Sequence, residues 1–245
     1  MNTNILIETE QMVETLAHIE DLKAKCRAGM IIGNTGFGKT FLSKAIRNKY
    51  AKASHDVYML TVSSTYTWDD VVDDLLEALG ETVSVTSSKR SKQQKLMAIV
   101  AKIKLLKADG KKPIIIIDEG ENLPVSMLQS IKTLYDALVK ICAICLIGTD
   151  QIMDKILNKR QKNRVAIPQL WRRLKMGTIT LAPIDRGKEF PKFFTALNIK
   201  DEALQSLCYK HCENYGELTD FLFPLIEDFN GRPTAKDAKK YFKLK

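Results

Sequence analysis

The stretch Gly33-Asn34-Thr35-Gly36-Phe37-Gly38-Lys39-Thr40 decides how this chain is read. Its spacing, Gly-x4-Gly-Lys-Thr, is that of a loop which wraps phosphate oxygens with backbone N–H groups. Such a wrap needs a backbone that turns tightly and comes close to its ligand, and Gly33, Gly36 and Gly38 supply that freedom. Lys39 places a point charge on the outer phosphates, and Thr40 offers a hydroxyl to a magnesium ion. The helix beginning there aims its positive end at the anion. All eight residues are therefore expected to hold a nucleoside triphosphate.

A glycine-rich turn without a ligand would share this composition but not its surroundings. Ala28 to Ile32 reads as a short buried strand, and Phe41 to Arg47 as the start of an amphipathic helix. The loop thus sits on the strand-to-helix junction that phosphate binding requires.

The second informative stretch is Ile114-Ile115-Ile116-Ile117-Asp118-Glu119. Four branched apolar residues predict a strand buried on both faces, with two acids emerging at its C-terminal end, where open α/β sheets bind ligands. Asp118 can hold magnesium, and Glu119 can polarise a water for attack on the terminal phosphate. The acidic pair points to hydrolysis rather than to a kinase. A further strand, Ile141 to Ile147, runs into Gly148-Thr149. Thr149 is expected either to meet the γ-phosphate or attacking water, or to cap the helix from Gln151.

Val57 to Val62 and Gly177 to Leu181 read as the remaining strands, and helical spacing fills the intervals between strands. The expected fold is a three-layer α/β core over residues 1–184 with a five-stranded parallel sheet. A small helical lid with a basic tail follows over 185–245. In front of the first strand, Met12, Val13, Leu16, Ile19 and Leu22 predict an amphipathic helix.

A length of 245 residues and an apolar share of 45% support a real core. The net charge of +9 favours an anionic partner. Eight cations, Lys155, Lys159, Arg160, Lys162, Arg164, Arg172, Arg173 and Lys175, lie together without an intervening acid. Lys89, Arg90 and Lys92 form a second acid-free group in a Ser/Thr-rich connection. They are the candidate DNA contacts, a solvated linker being the alternative. Five cysteines without a secretory leader, and no apolar run of membrane-spanning length, predict reduced thiols in a cytoplasmic protein away from membranes. Cys142 and Cys145 read as strand residues. Cys208, His211 and Cys212 read as helix residues rather than as zinc ligands.

With the phosphate loop, Asp118-Glu119, Gly148-Thr149 and Leu170-Trp171-Arg172-Arg173-Leu174 in this order, the chain resembles an AAA+ ATPase from about Met12 to Ile226. Ile-Asp-Glu-Gly-Glu-Asn-Leu at 117–123 and Leu-Ile-Gly-Thr at 146–149 are similar to the transposition-accessory branch of MuB, TnsC and IstB. That resemblance implies an ATP- and magnesium-dependent homo-oligomer or filament on duplex DNA, which marks target sites and stimulates a transposase. It also implies that Arg173, with Arg172 and Arg164 as alternatives, reaches the γ-phosphate of a neighbouring subunit. Helicase loaders and replication initiators share nearly all these motifs, and a protein-binding nucleotide switch is a third reading. Three departures stand out: no room for MuB's N-terminal helix-turn-helix, Gly120 in place of the usual Ala, and Thr219 where an arginine sensor is implied.

Overall fold

The computed structural model describes residues 7–51, 56–81, 91–162 and 166–244. Among them, five parallel strands form one sheet: β1 (Ala28–Ile32), β2 (Val57–Thr61), β3 (Ile114–Asp118), β4 (Ala143–Gly148) and β5 (Thr178–Thr180). Their spatial order is β2-β3-β4-β1-β5. The expected five-stranded parallel α/β sheet is present, with the fourth and fifth strands shorter at their starts than the apolar runs implied. Ile141 and Cys142 are apolar because they are packed, not because they pair: Cys142 is fully buried just before β4 begins.

Helices α1 (Glu10–Lys25), α2 (Lys39–Ala51), α3 (Trp68–Ala78), α4 (Lys92–Ala108) and α5 (Val125–Ala137) lie before and between the strands, α3 and α4 together linking β2 to β3. They are followed by α6 (Asp150–Lys162) and α7 (Ala166–Leu174) before β5. Their spacing explains their packing. In α3, Val71, Val72, Leu75 and Leu76 form the buried face, and Thr67 and Asp70 close the N-terminus as a reciprocal capping box. Ile114 to Ile117 are all fully buried, because β3 pairs with β2 on one side and β4 on the other and carries helices over its faces. Each such side chain stabilises the fold by about 1.5–3 kcal/mol.

The strand order creates a switch point. From β1 the chain travels to β2 at one edge of the sheet, whereas from β4 it travels to β5 at the other. Neighbouring strands β1 and β4 thus feed connections in opposite directions, leaving a crevice at their C-terminal ends. Register places Ile32 beside Gly148 and Thr61 beside Asp118, so the chain leaves β1, β3 and β4 along one margin of the sheet.

The chain packs as two compact units. One, Thr15–Asn34 with Ile46–Thr180, holds the sheet and its apolar core. The other comprises Met1–Glu14, Thr35–Ala45 and Leu181–Lys245. Its core joins Ile7 to α8 (Arg186–Ala196), α9 (Glu202–His211), α10 (Tyr215–Asp228) and α11 (Ala235–Tyr241). Within this core Phe193 stands edge-on to Phe41, with ring centroids 6.1 Å apart, and lies 5.6 Å from Tyr215.

All five cysteines are free and buried. Burial raises the thiols of Cys145, Cys208 and Cys212 to about 12, which suits packing rather than reaction.

Candidate active site

The loop leaves β1 with Gly33 buried and its N–H donating to the Gly148 carbonyl at 3.0 Å, a bond across the switch-point crevice. The Asn34 amide, with its nitrogen turned to Asp150, donates to that carboxylate at 2.9 and 3.2 Å and tethers the loop's first residues to the start of α6. Gly36 and Gly38 have φ of 85° and 90°, where an L side chain is strained. Space is a second reason for glycine. A Cβ at Gly36 would stand 2.4 Å from Asn214 Cγ, and one at Gly38 3.2 Å from the Tyr215 ring. Lys39 and Thr40 then open α2, whose first intrahelical bond runs from Leu42 N–H to the Gly38 carbonyl at 2.8 Å.

Asp118 ends β3 and is buried, whereas Glu119 is exposed and stands in the left-handed region, with φ 58° and ψ 40°. Its N–H donates to Asp118 Oδ1 at 3.0 Å, so the strained turn is fastened to the acid before it. Three ties hold the following turn, Gly120–Asn122. Asn122 donates to the Val62 carbonyl at 2.9 Å, and the Glu121 carboxylate accepts from Thr149 N–H at 3.2 Å. Lys155 donates to the carbonyls of Glu121 and Leu123 at 2.6 and 2.8 Å. Burial lowers the Lys155 pKa, and the nearby Glu121 charge partly opposes that shift. Lys155 is therefore an internal strut rather than a member of the solvated basic strip that its sequence neighbours implied. Gly120 is required by space: a Cβ there would stand 2.7 Å from Ile152 Cδ1 and 3.2 Å from the Ile147 carbonyl oxygen.

Thr149 does not cap α6. Its hydroxyl is buried and has no hydrogen-bond partner among the described residues, which leaves a donor and acceptor beside the end of β4 for something other than the helix. Arg173 is engaged within its own chain. Its guanidinium meets Asp136 at 2.6 Å, donates to the Gln169 carbonyl at 3.0 Å and lies 6.0 Å from the centre of the Tyr135 ring. Arg172, one residue earlier, is exposed, and Arg164 lies outside the described residues. Thr219, where an arginine sensor was implied, is buried and returns its hydroxyl to the Gly216 carbonyl at 2.8 Å.

Of the candidate DNA contacts, Lys89 and Arg90 lie outside the described residues. Lys92 opens α4, is largely exposed, and faces Asp69 at 3.6 Å. It lines an open cleft of about 680 Å³ with Tyr66, Trp68, Gln93, Ser126 and Ser130. No helix among the described residues is long and apolar enough to cross a membrane.

The residues fit a magnesium nucleotide. Gly36 and Gly38 stand in the left-handed conformation that a phosphate cradle uses, and Thr40 follows them with a hydroxyl; separately, in the unit that holds the sheet, Asp118 offers a carboxylate, and both are hard oxygen donors of the kind magnesium takes. The sequence reading names Lys155 in the basic strip and Glu121 and Asn122 within residues 117–123, but not their part in holding this turn. A lysine in a basic run and an acid two residues past a stronger acidic pair carry no periodic signal.

A glycine loop on β1, an acidic pair on β3 and a threonine on β4, with sheet order β2-β3-β4-β1-β5, define a P-loop nucleotide-binding protein. The chain belongs to the AAA domain family, whose model matches residues 22–157 and whose members are typically ATPases. No curated protein matches it in sequence. Among solved structures it is similar to Orc1 of Aeropyrum pernix in complex with DNA, at 17% identity over 98% of this chain and 66% of that one, with a TM-score of 0.65. It is similar to Cdc6p of Pyrobaculum aerophilum, at 15% identity over 98% and 68%, with a TM-score of 0.68. AMPPCP-bound DnaA of Aquifex aeolicus follows, at 14% identity over 97% and 68%, with a TM-score of 0.59. The chain spans about two thirds of the length of these structures, and the likeness is one of fold.

Proposed function

We propose that this protein is a magnesium-dependent ATPase that acts on duplex DNA in the manner of a replication initiator or helicase loader. The observation that carries the hydrolytic part is the placement of the acids: Asp118 ends an inner strand and Glu119 follows it, on the margin where the phosphate loop begins. In this reading the phosphate loop and Lys39 bind the triphosphate, while Thr40 and Asp118 hold magnesium, which neutralises charge on the phosphates. Glu119 orients and polarises the attacking water, and the Thr149 hydroxyl takes the γ-phosphate or that water. Arg173 completes the site of a neighbouring copy, so hydrolysis depends on homo-oligomer formation. The DNA part draws on the net charge of +9, the cleft beside Lys92 and the likeness of nearly the whole chain to Orc1 solved with DNA.

A second reading, a transposition-accessory ATPase that coats target DNA and stimulates a transposase, is favoured by residues 117–123 and 146–149. Both readings predict DNA-stimulated hydrolysis, and they part over assembly and partner. ATP turnover is measured with and without duplex DNA, the assemblies are imaged, and stimulation of strand transfer by a transposase is scored against delivery of a helicase. Continuous filaments with strand transfer support the second reading; discrete complexes with helicase delivery support the first. Absence of DNA binding at low salt with ATP excludes both and leaves a protein-binding nucleotide switch. Removing Lys89, Arg90 and Lys92 together should flatten the salt dependence of DNA binding, by roughly 0.9 in log–log slope for each lost phosphate contact.

A further inference from the structure

We propose that Gln11 is a positioning residue for the phosphate loop. The proposal rests on the nucleotide-binding reading above and adds to it a residue that no motif contains. Gln11 lies in the first turn of α1, and its side-chain amide is used at both ends. Its Nε2 donates to the Phe37 carbonyl at 3.1 Å, and its Oε1 accepts from Ala182 N–H at 2.7 Å. All three residues lie in the compact unit that holds the C-terminal helices. An amide is suited to this place because it presents a donor to a carbonyl and an acceptor to an N–H from one rigid plane.

The contact with Phe37 matters because of what a peptide plane does. In a trans peptide the Phe37 carbonyl and the Gly38 N–H point in opposite directions. A phosphate cradle needs its N–H groups turned inward, so its carbonyls must turn outward. Fixing the Phe37 carbonyl on Gln11 therefore aims the Gly38 N–H at the phosphate position. On its Gly38 side that plane meets no side chain to oppose its rotation, so the hydrogen bond from Gln11 supplies a restraint that sterics there do not. The bond to Ala182 holds the amide, and hence the loop, to the segment that leads into α8. Gln11 prepares the loop before nucleotide arrives, which lowers the conformational cost of binding.

The test uses the full chain, with fluorescent ATP and ADP analogues titrated and then chased to give dissociation rates. Gln11→Met removes both hydrogen bonds and keeps the length of the side chain. Gln11→Glu keeps the acceptor for Ala182 N–H and loses the donor to Phe37. Both variants should bind both nucleotides about fivefold more weakly, as expected for one lost positioning bond, and release them faster. Weak binding by Gln11→Met with parental binding by Gln11→Glu would assign the effect to the Ala182 tether and overturn the loop-positioning role. Parental affinity in Gln11→Met overturns the proposal outright. If thermal melts show Gln11→Met unfolded, Gln11→Glu decides alone, because it keeps the tether. A parent chain that binds neither analogue overturns the nucleotide-binding reading itself, a failure distinct from parental affinity in the variants.

Discussion

Arg173 and Asp136 join the end of α7 to the end of α5 through an ion pair of 2.6 Å, in which Asp136 is also 2.8 Å from Lys132. The proposed trans role of Arg173 thus has a competitor inside its own chain, and the two roles separate on mutation. Arg173→Ala should bind ATP at parental affinity and lose hydrolysis, with recovery in mixed assemblies where the neighbour supplies the arginine. Asp136→Asn keeps the arginine and removes the carboxylate charge that Arg173 and Lys132 share. It should cost about 1 kcal/mol of stability, the upper range for a partly exposed bridge, and leave hydrolysis intact. Equal loss of hydrolysis in both would make Arg173 a packing residue, and the exposed Arg172 would become the next to test.

Thr149→Val separates stability from chemistry at one atom. The hydroxyl is buried without a partner among the described residues, so replacing it with a methyl group of similar size removes an unsatisfied polar group. Thermal unfolding without nucleotide should rise or stay level, while ATP turnover falls. A lowered melting temperature with full turnover would place the hydroxyl in the fold rather than in the chemistry.

Gly120 and Ile152 should be coupled. Gly120→Ala drives a methyl group against Ile152 Cδ1 and the Ile147 carbonyl, and overpacking of this kind typically costs about 1–3 kcal/mol. Ile152→Val withdraws the nearer obstacle. The double variant should regain most of the loss, as read in a denaturant double-mutant cycle. Strict additivity would show that the side chains do not meet.

The sheet was legible because its strands announce themselves by short-range chemistry. Ile114 to Ile117 read as a doubly covered strand because four branched apolar residues run straight into two acids, and Gly33 to Thr40 read as a phosphate loop because a strand precedes them and a helix follows. The site was legible as far as those motifs reach. What stayed hidden depends on long-range closure: Lys155 reaches the carbonyls of Glu121 and Leu123 across more than thirty residues, and Gln11 reaches Ala182 across 171. A single lysine or glutamine has no periodicity to reveal such a partner. The basic strip is incomplete for the same reason, since charge counted along the chain does not show that Lys155 reaches two carbonyls or that Arg173 meets Asp136.

The account stands on Glu119 as the residue that acts on water while the loop binds the nucleotide, and Glu119→Gln isolates that step. Glutamine keeps the shape of the side chain and removes the carboxylate. The decisive measurement is a single-turnover ATP experiment on the Glu119→Gln chain with magnesium and duplex DNA, following both bound nucleotide and released phosphate. The account predicts parental ATP binding, no phosphate release above background and prolonged retention on DNA. Phosphate released at the parental rate would contradict it.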